Sequence, residues 1–257
     1  MASSIRISGR RAGQRFDAER NVATEALLFL GDLDPEAIGP SIVHATHYEP
    51  TPVGDLDALL ELVPLARENA TFVDVGSGMG RAVLLAAGHP FRQVVGVEIS
   101  PALHAIARDN LKAFDRTSLR CRDVRLVRGD AATFVFPSGD LVVYLFNPFD
   151  ETILARVLER LVTSAGMRDI TLVYHTPVAR GAIDAHPDFE LIAESALGAV
   201  YRLVVRIAAR DTERSRQSAS TATSPTDMLS PQLARTPFHP KCSHAMPGSV
   251  DPSTAPM

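Results

Sequence analysis

The sequence predicts an open α/β domain, with apolar strands sandwiched between helices on both faces of a mostly parallel sheet. Three observations carry this reading. Thr71-Phe-Val-Asp-Val-Gly-Ser-Gly-Met-Gly-Arg81 joins a β-branched, apolar run to a turn with glycines at 76, 78 and 80, as a strand buried on both faces would need. Ala82-Val-Leu-Leu-Ala-Ala87 then reads as a helix that stops at Gly88-His89-Pro90. Further apolar runs, Gln93–Glu98, Val124–Arg128, Leu141–Phe146 and Asp169–Tyr174, alternate with stretches of helical spacing. In such sheets ligands bind outside the carboxyl ends of the strands, which is where the glycine turn lies.

The remaining elements follow in order. Asp17 to Phe29 has apolar residues at helical spacing and is broken by Gly31-Asp-Leu-Asp-Pro35. His44 to Pro50 is an irregular link containing His47 and Tyr48. Thr51-Pro52 reads as an N-cap followed by proline at the first helical position, and Leu56, Leu59, Leu60 and Val63 form that helix's apolar stripe. Ser100-Pro101 caps a helix with the stripe Leu103, Ile106, Ala107, Leu111 and Phe114. Glu151 to Ala165 is a further helix, with Ile153, Leu154, Val157, Leu158 and Leu161 facing the core. Phe189–Ala193 and Ala199–Ile207 flank Ser195-Ala-Leu-Gly198 and suit an antiparallel pair.

At 257 residues there is room for one full α/β domain and some additional chain. A formal net charge of -4 is too small to point to a nucleic-acid or acidic-surface partner. No apolar run reaches the roughly 18 residues of a membrane span. Cys121 and Cys242 show neither metal-ligand spacing nor a disulfide framework. The expectation is therefore a cytoplasmic protein without a metal or membrane. Residues 1–16 carry four arginines and no acid, a composition that suits a flexible basic extension or a transit peptide. The domain is expected over 17–209. Residues 210–257 are rich in Ser, Thr and Pro, and too few are large and apolar to offset chain entropy, so this tail is expected to be disordered. Its His239, Cys242 and His244 are three donors with no fourth.

The glycine spacing separates two ligand classes. A dinucleotide turn reads Gly-x-Gly-x-x-Gly. Begun at Gly76, that pattern needs a small residue at 81, where Arg81 stands. An anion at Asp74 would also repel a pyrophosphate and attract a cation. Asp-x-Gly-x-Gly-x-Gly resembles motif I of the class I S-adenosylmethionine (SAM) methyltransferases. The resemblance implies a Rossmann-like seven-stranded sheet in the order 3-2-1-4-5-7-6, with the last strand antiparallel. It also implies that Asp74 orders the methionine end of SAM while Gly76, Ser77, Gly78 and Gly80 let the backbone approach it. Glu98, 24 residues after Asp74, falls roughly where doubly wound folds place an acid on the ribose hydroxyls, with Ile99 beside it. Asp130 and Ala131 correspond to the adenine contacts of the family.

Asn147-Pro148-Phe149 is similar to the Asp/Asn-Pro-Pro-Tyr/Phe motif of amino-group methyltransferases. By that likeness Asn147 and the Pro148 carbonyl accept from a target nitrogen, and an aromatic ring stacks on the substrate. Phe149 stands where the family has its second proline, which leaves the nitrogen target only suggested. The chain also looks like small bacterial class I methyltransferases that share Tyr-Glu-Pro-Thr-Pro and Phe-Asn-Pro-Phe, and more distantly like Dot1-type protein-lysine methyltransferases. Tyr48, Glu49 and Thr51 would then sit above the SAM site or form an ordinary loop. A hydroxyl acceptor would call for a general base, for which His47 and His175 are candidates; His175 also suits a rim position. The implied function is methyl transfer from SAM to a nitrogen on a small molecule or protein side chain. The alternatives are a non-catalytic SAM-binding protein and, disfavoured by the glycine spacing, a NAD- or FAD-dependent oxidoreductase. Neither the acceptor nor the oligomeric state can be read from the sequence.

Overall fold

The structure, a computed structural model, describes residues 2–26 and 48–204, with side chains described from Arg10 onward. The tail from 205, the end of the last expected strand and His47 lie outside the described residues. Seven strands form one sheet: β1 Thr71–Val75, β2 Gln93–Glu98, β3 Val124–Arg128, β4 Leu141–Leu145, β5 Ile170–His175, β6 Phe189–Glu194 and β7 Gly198–Leu203. Their order is β3-β2-β1-β4-β5-β7-β6. β7 runs antiparallel to both β5 and β6, and the other pairings are parallel. This is the Rossmann-like order implied by the resemblance.

The sheet is the centre of two apolar layers because β1, β2, β4 and β5 are buried along their whole length. Val73, Val75, Val143 and Leu172 pack on one face against the apolar stripe of α5, Glu151–Ser164. Phe72, Val94, Val142 and Tyr144 pack on the other against α2, Asp55–Leu60, and α3, Arg81–Ala87. α4, Pro101–Ala113, covers the β2–β3 end and is capped as expected, with Ser100 Oγ accepting from Leu103 N. Asp150 caps α5, accepting from Thr152 N and Ile153 N. A short α6, Arg180–Asp184, follows β5.

Two expected elements are placed differently. The first helix, α1, spans Ala2–Arg20 rather than beginning at Asp17, so the stretch read as a flexible basic extension is helical. It stops because Asn21 takes a left-handed conformation, φ 55°, a common way to end a helix. Asp17 then ties down the returning chain by accepting from Thr24 N, Thr24 Oγ1 and Glu25 N. Thr51 does not cap α2, whose N-cap is Gly54 at φ 97°; the Thr51 hydroxyl is bonded to Tyr144 instead. The expected stripe Leu56, Leu59 and Leu60 is fully buried.

Candidate cofactor and acceptor site

The site begins with the way the glycine turn leaves β1. Gly76 N and Ser77 N both donate to Val97 O of β2. Gly76, Gly78 and Gly80 have φ of 85°, 53° and 88°, which L side chains rarely adopt. Space is a second constraint. A Cβ on Gly76 would lie 2.2 Å from Pro148 Cβ, and one on Gly78 would lie 2.2 Å from the Tyr48 ring. The turn is thus wedged between the end of β4 and the segment that precedes α2.

Two buried carboxyls sit under this turn. Glu98 is 6% exposed and accepts from Gly78 N at 2.8 Å and Ser100 N at 2.7 Å. It therefore fastens the turn to the start of α4 while keeping acceptor capacity for a hydroxyl. Burial pushes its pKa up, and the backbone donors of Ser100, Gly78 and Ile99 oppose this. Asp74 is 4% exposed and lies between Gly96 and Tyr144 of the neighbouring strands. Burial, with a smaller contribution from Glu98, pushes its pKa up to about 8. The cleft beside it is lined by Tyr48, Thr51, Asp74, Ser77, Tyr144 and Phe146 among others. Glu49 also lines it.

The third acid, Asp130, follows β3. Its Oδ1 accepts from Ala132 N at 2.8 Å, a local turn closed by the side chain. Gly129 N donates to Glu98 O, which draws this turn onto the end of β2. Ile99, Asp130 and Ala131 are all half-buried. Asp74, Glu98 and Asp130 thus terminate three adjacent strands at one edge of the sheet.

At the end of β4, Asn147 adopts φ 42° and Thr176, at the end of neighbouring β5, adopts φ 45°. Neither is glycine, so both conformations cost energy that the surroundings must offset. Asn147 Nδ2 donates to Thr176 O at 2.6 Å, and Val178 N donates to Asn147 Oδ1 at 3.1 Å. The Asn147 amide therefore ties two strand ends together. Phe149 is half-buried and packs against the α5 side of the core, whereas Phe146 lines the cleft and stacks on His175 with centroids 4.3 Å apart. His175 is 2% exposed, so it is not a rim residue.

Sequence reasoning assigned no role to Arg81 beyond breaking a dinucleotide pattern. The first residue of α3, it is 2% exposed and reaches Asp17 at 3.2 Å and Glu25 at 3.1 Å. Its Nε donates to Thr24 Oγ1, and its guanidinium lies 4.9 Å from the Phe16 ring centroid. Asn110 of α4 adds a second clasp, exchanging hydrogen bonds with Ala23 N and O and donating to Met79 O. Tyr48 completes it by donating to Thr24 O. Residues 13–25 are thereby strapped onto the glycine turn, a long-range contact with no local signal apart from one arginine in an unexpected place.

The group implied by the sequence fits what is here. A cleft lined by the buried Asp74, with Glu98 buried beneath the same turn, favours a cation over a phosphate. The Ser77 hydroxyl, 5% exposed and without a hydrogen-bond partner among the described residues, adds an unsatisfied polar group at the turn. No cluster of His, Cys, Asp and Glu suited to a metal occurs among the described residues, and none of their helices is long and apolar enough to cross a membrane.

Comparison with known proteins matches part of the chain to a described domain. The sequence pattern of the methyltransferase domain matches residues 72–164, from β1 through α5. No curated protein sequence matches the chain. Among solved structures it resembles an RNA methyltransferase from Salinibacter ruber in complex with S-adenosyl-L-homocysteine, at 23% identity and TM-score 0.45, over 63% of this chain and 97% of that one. It resembles the 23S rRNA methyltransferase ErmE at 16% identity and TM-score 0.46, over 67% and 78%. It also resembles the magnesium protoporphyrin IX methyltransferase of Synechocystis with bound SAM, at 14% identity and TM-score 0.41, over 58% and 77%. The pattern of a methyltransferase domain thus runs from β1 through α5, across the glycine turn and its buried acids, and the strand order is that of a Rossmann-like methyltransferase fold.

Proposed function

We propose that the chain transfers the methyl group of SAM to a nitrogen on a small molecule or a protein side chain. The observation that carries this is the contact between Gly76 and Pro148, which sets the Asp74 turn directly against Asn147-Pro148. Asp74 would hold the cofactor's ammonium, Glu98 its ribose hydroxyls, and Asp130 with the Ala131 backbone its adenine. When bound, the cofactor supplies an electrophilic methyl on a good leaving group, so the protein's task is to orient the acceptor and exclude water. The Pro148 carbonyl and the Asn147 amide oxygen are the acceptors proposed for a target N–H.

A second reading has its own support. Arg116, Arg120, Arg122, Arg125 and Arg128 are all exposed along the β3 edge, although the whole chain carries a net charge of -4. Such a stripe favours a phosphate-bearing acceptor, which the net charge alone did not suggest. Incubation with methyl-labelled SAM and cell extract separates the readings. Label in a protein or small-molecule fraction supports the first, and nuclease-sensitive label supports the second. SAM binding without label in any fraction would instead indicate a non-catalytic binder.

A further inference from the structure

A buried polar chain leads away from the cleft, starting at Thr51 and Tyr144 of its lining. Thr51 Oγ1 lies 3.0 Å from Tyr144 Oη, Tyr144 Oη lies 2.9 Å from His175 Nδ1, and His175 Nε2 lies 3.2 Å from Asp55 Oδ2. The four residues come from the segment before α2, from β4, from β5 and from the start of α2. Thr51, Tyr144 and His175 are 4%, 0% and 2% exposed. Only Asp55, with a side chain 26% exposed, reaches solvent. An apolar core would have been simpler to build here, because each of these groups costs free energy if its bond is missing.

With Asp55 accepting from His175 Nε2, the Nε2–H tautomer of the imidazole leaves a lone pair at Nδ1, and the bonds then run in one direction along the chain. Tyr144 donates to that lone pair, and burial keeps its phenol protonated well above the usual range. With its proton engaged, Tyr144 Oη accepts from Thr51 Oγ1. Thr51 is then left with lone pairs alone, in the same cleft as Asp74.

We propose that the Asp55–His175–Tyr144–Thr51 chain is a positioning device that fixes Thr51 Oγ1 as a hydrogen-bond acceptor for the cofactor's ammonium group beside Asp74. The inference rests on the reading of this cleft as the methionine end of the SAM site. It explains why a histidine and a tyrosine hydroxyl are buried next to a cleft that already has a carboxyl. It also gives Thr51 a reason to face the cleft rather than cap α2.

The test is calorimetric titration at pH 7.5, about one unit above the ordinary imidazole value, with two ligands, S-adenosyl-L-homocysteine and the analogue lacking its α-amino group. Thr51→Val, of similar shape, should weaken S-adenosylhomocysteine binding about tenfold, the size of one charge-assisted hydrogen bond. Thr51→Ser keeps the acceptor and should restore it to within about twofold. Tyr144→Phe, which unlocks the Thr51 proton, should lose affinity in the same direction. For the deaminated analogue all three variants should match the wild type. Equal losses for both ligands, or no loss for S-adenosylhomocysteine, would overturn the proposal while leaving the cofactor reading intact. A wild-type protein that binds neither ligand would overturn the cofactor reading, and this one with it. Thermal melting of each variant without ligand keeps a folding defect distinct from a lost contact.

Discussion

A carboxyl removed from water beside a second carboxyl cannot release its proton cheaply, and Asp74 holds its own to about pH 8 for that reason. Such a group is poised for a cation, whose arrival supplies the missing counter-charge. Asp74→Asn should therefore abolish measurable SAM binding while raising the melting temperature at pH 8, where the wild type has begun to carry a buried charge. A variant that is less stable at pH 8 would show that the carboxyl is compensated in a way not visible here. Glu98 is different because it already accepts two backbone N–H bonds. Glu98→Ala should weaken SAM at least about tenfold and also destabilise the fold by about 1–3 kcal/mol, since Gly78 N and Ser100 N lose their partner. Gly78→Val should weaken SAM by a similar factor, because its side chain meets the Tyr48 ring and its φ is left-handed. Unchanged affinity in both Glu98→Ala and Gly78→Val by titration calorimetry would remove the cofactor from this turn. These residues were legible in the sequence because each lies in a contiguous strand-and-turn segment with its own signature. Thr51, Tyr144, His175 and Asp55 were not legible as a group, because four separate segments meet only in the folded chain.

At the scale of elements, the strands and the helices α3, α4 and α5 followed from apolar periodicity and caps and the strand order from the family resemblance, while both ends of α1 were misread. Periodicity over 17–29 pointed to a helix, but the left-handed Asn21 and the Asp17 bonds to Thr24 and Glu25 turn the chain back instead. The buried Arg81 is the cation at the centre of the resulting strap. Replacing Arg81 by Met leaves Asp17 and Glu25 without it and should destabilise the protein by about 3 kcal/mol, the order expected for an orphaned buried charge. Hydrogen exchange should rise across 13–25 and much less in β1, β4 and β5. Arg81→Lys should rescue only part of this, since an ammonium cannot reproduce the guanidinium's fork and its stacking on Phe16. Uniform exchange throughout would mean that the strap is not a separate unit. At the other end of the site, Asn147 joins the ends of β4 and β5. Asn147→Ala should reduce methyl transfer while leaving SAM affinity nearly intact, and it should loosen the Thr176–Val178 segment in the same hydrogen-exchange measurement. Unaffected transfer would move the acceptor site elsewhere.

Across the whole molecule the net charge is small, yet two acids, Asp74 and Glu98, sit together where water is scarce. That concentration couples stability, pH and cofactor. Between the ordinary value of 3.8 and about 8, folded Asp74 keeps a proton that the unfolded chain has released. The folded state therefore binds more protons, and stability falls as pH rises through this window, by up to about 1.4 kcal/mol per pH unit from this group alone. Glu98, also shifted upward, adds in the same direction. A cation seated on Asp74 reverses the balance, because it favours the ionised carboxyl. Cofactor binding should then expel a proton from the protein. The clearest condition is near pH 6, where Asp74 is still protonated while the cofactor's α-amino group, with an ordinary pKa of about 8, is already charged and takes up none. Calorimetry at pH 6 in buffers of different ionisation enthalpy should show release approaching one proton per SAM, and Asp74→Asn should show neither the release nor the binding. Tight SAM binding by the wild type with a heat independent of buffer would place the cofactor's ammonium away from Asp74, and the assignment of this end of the cleft would fall with it.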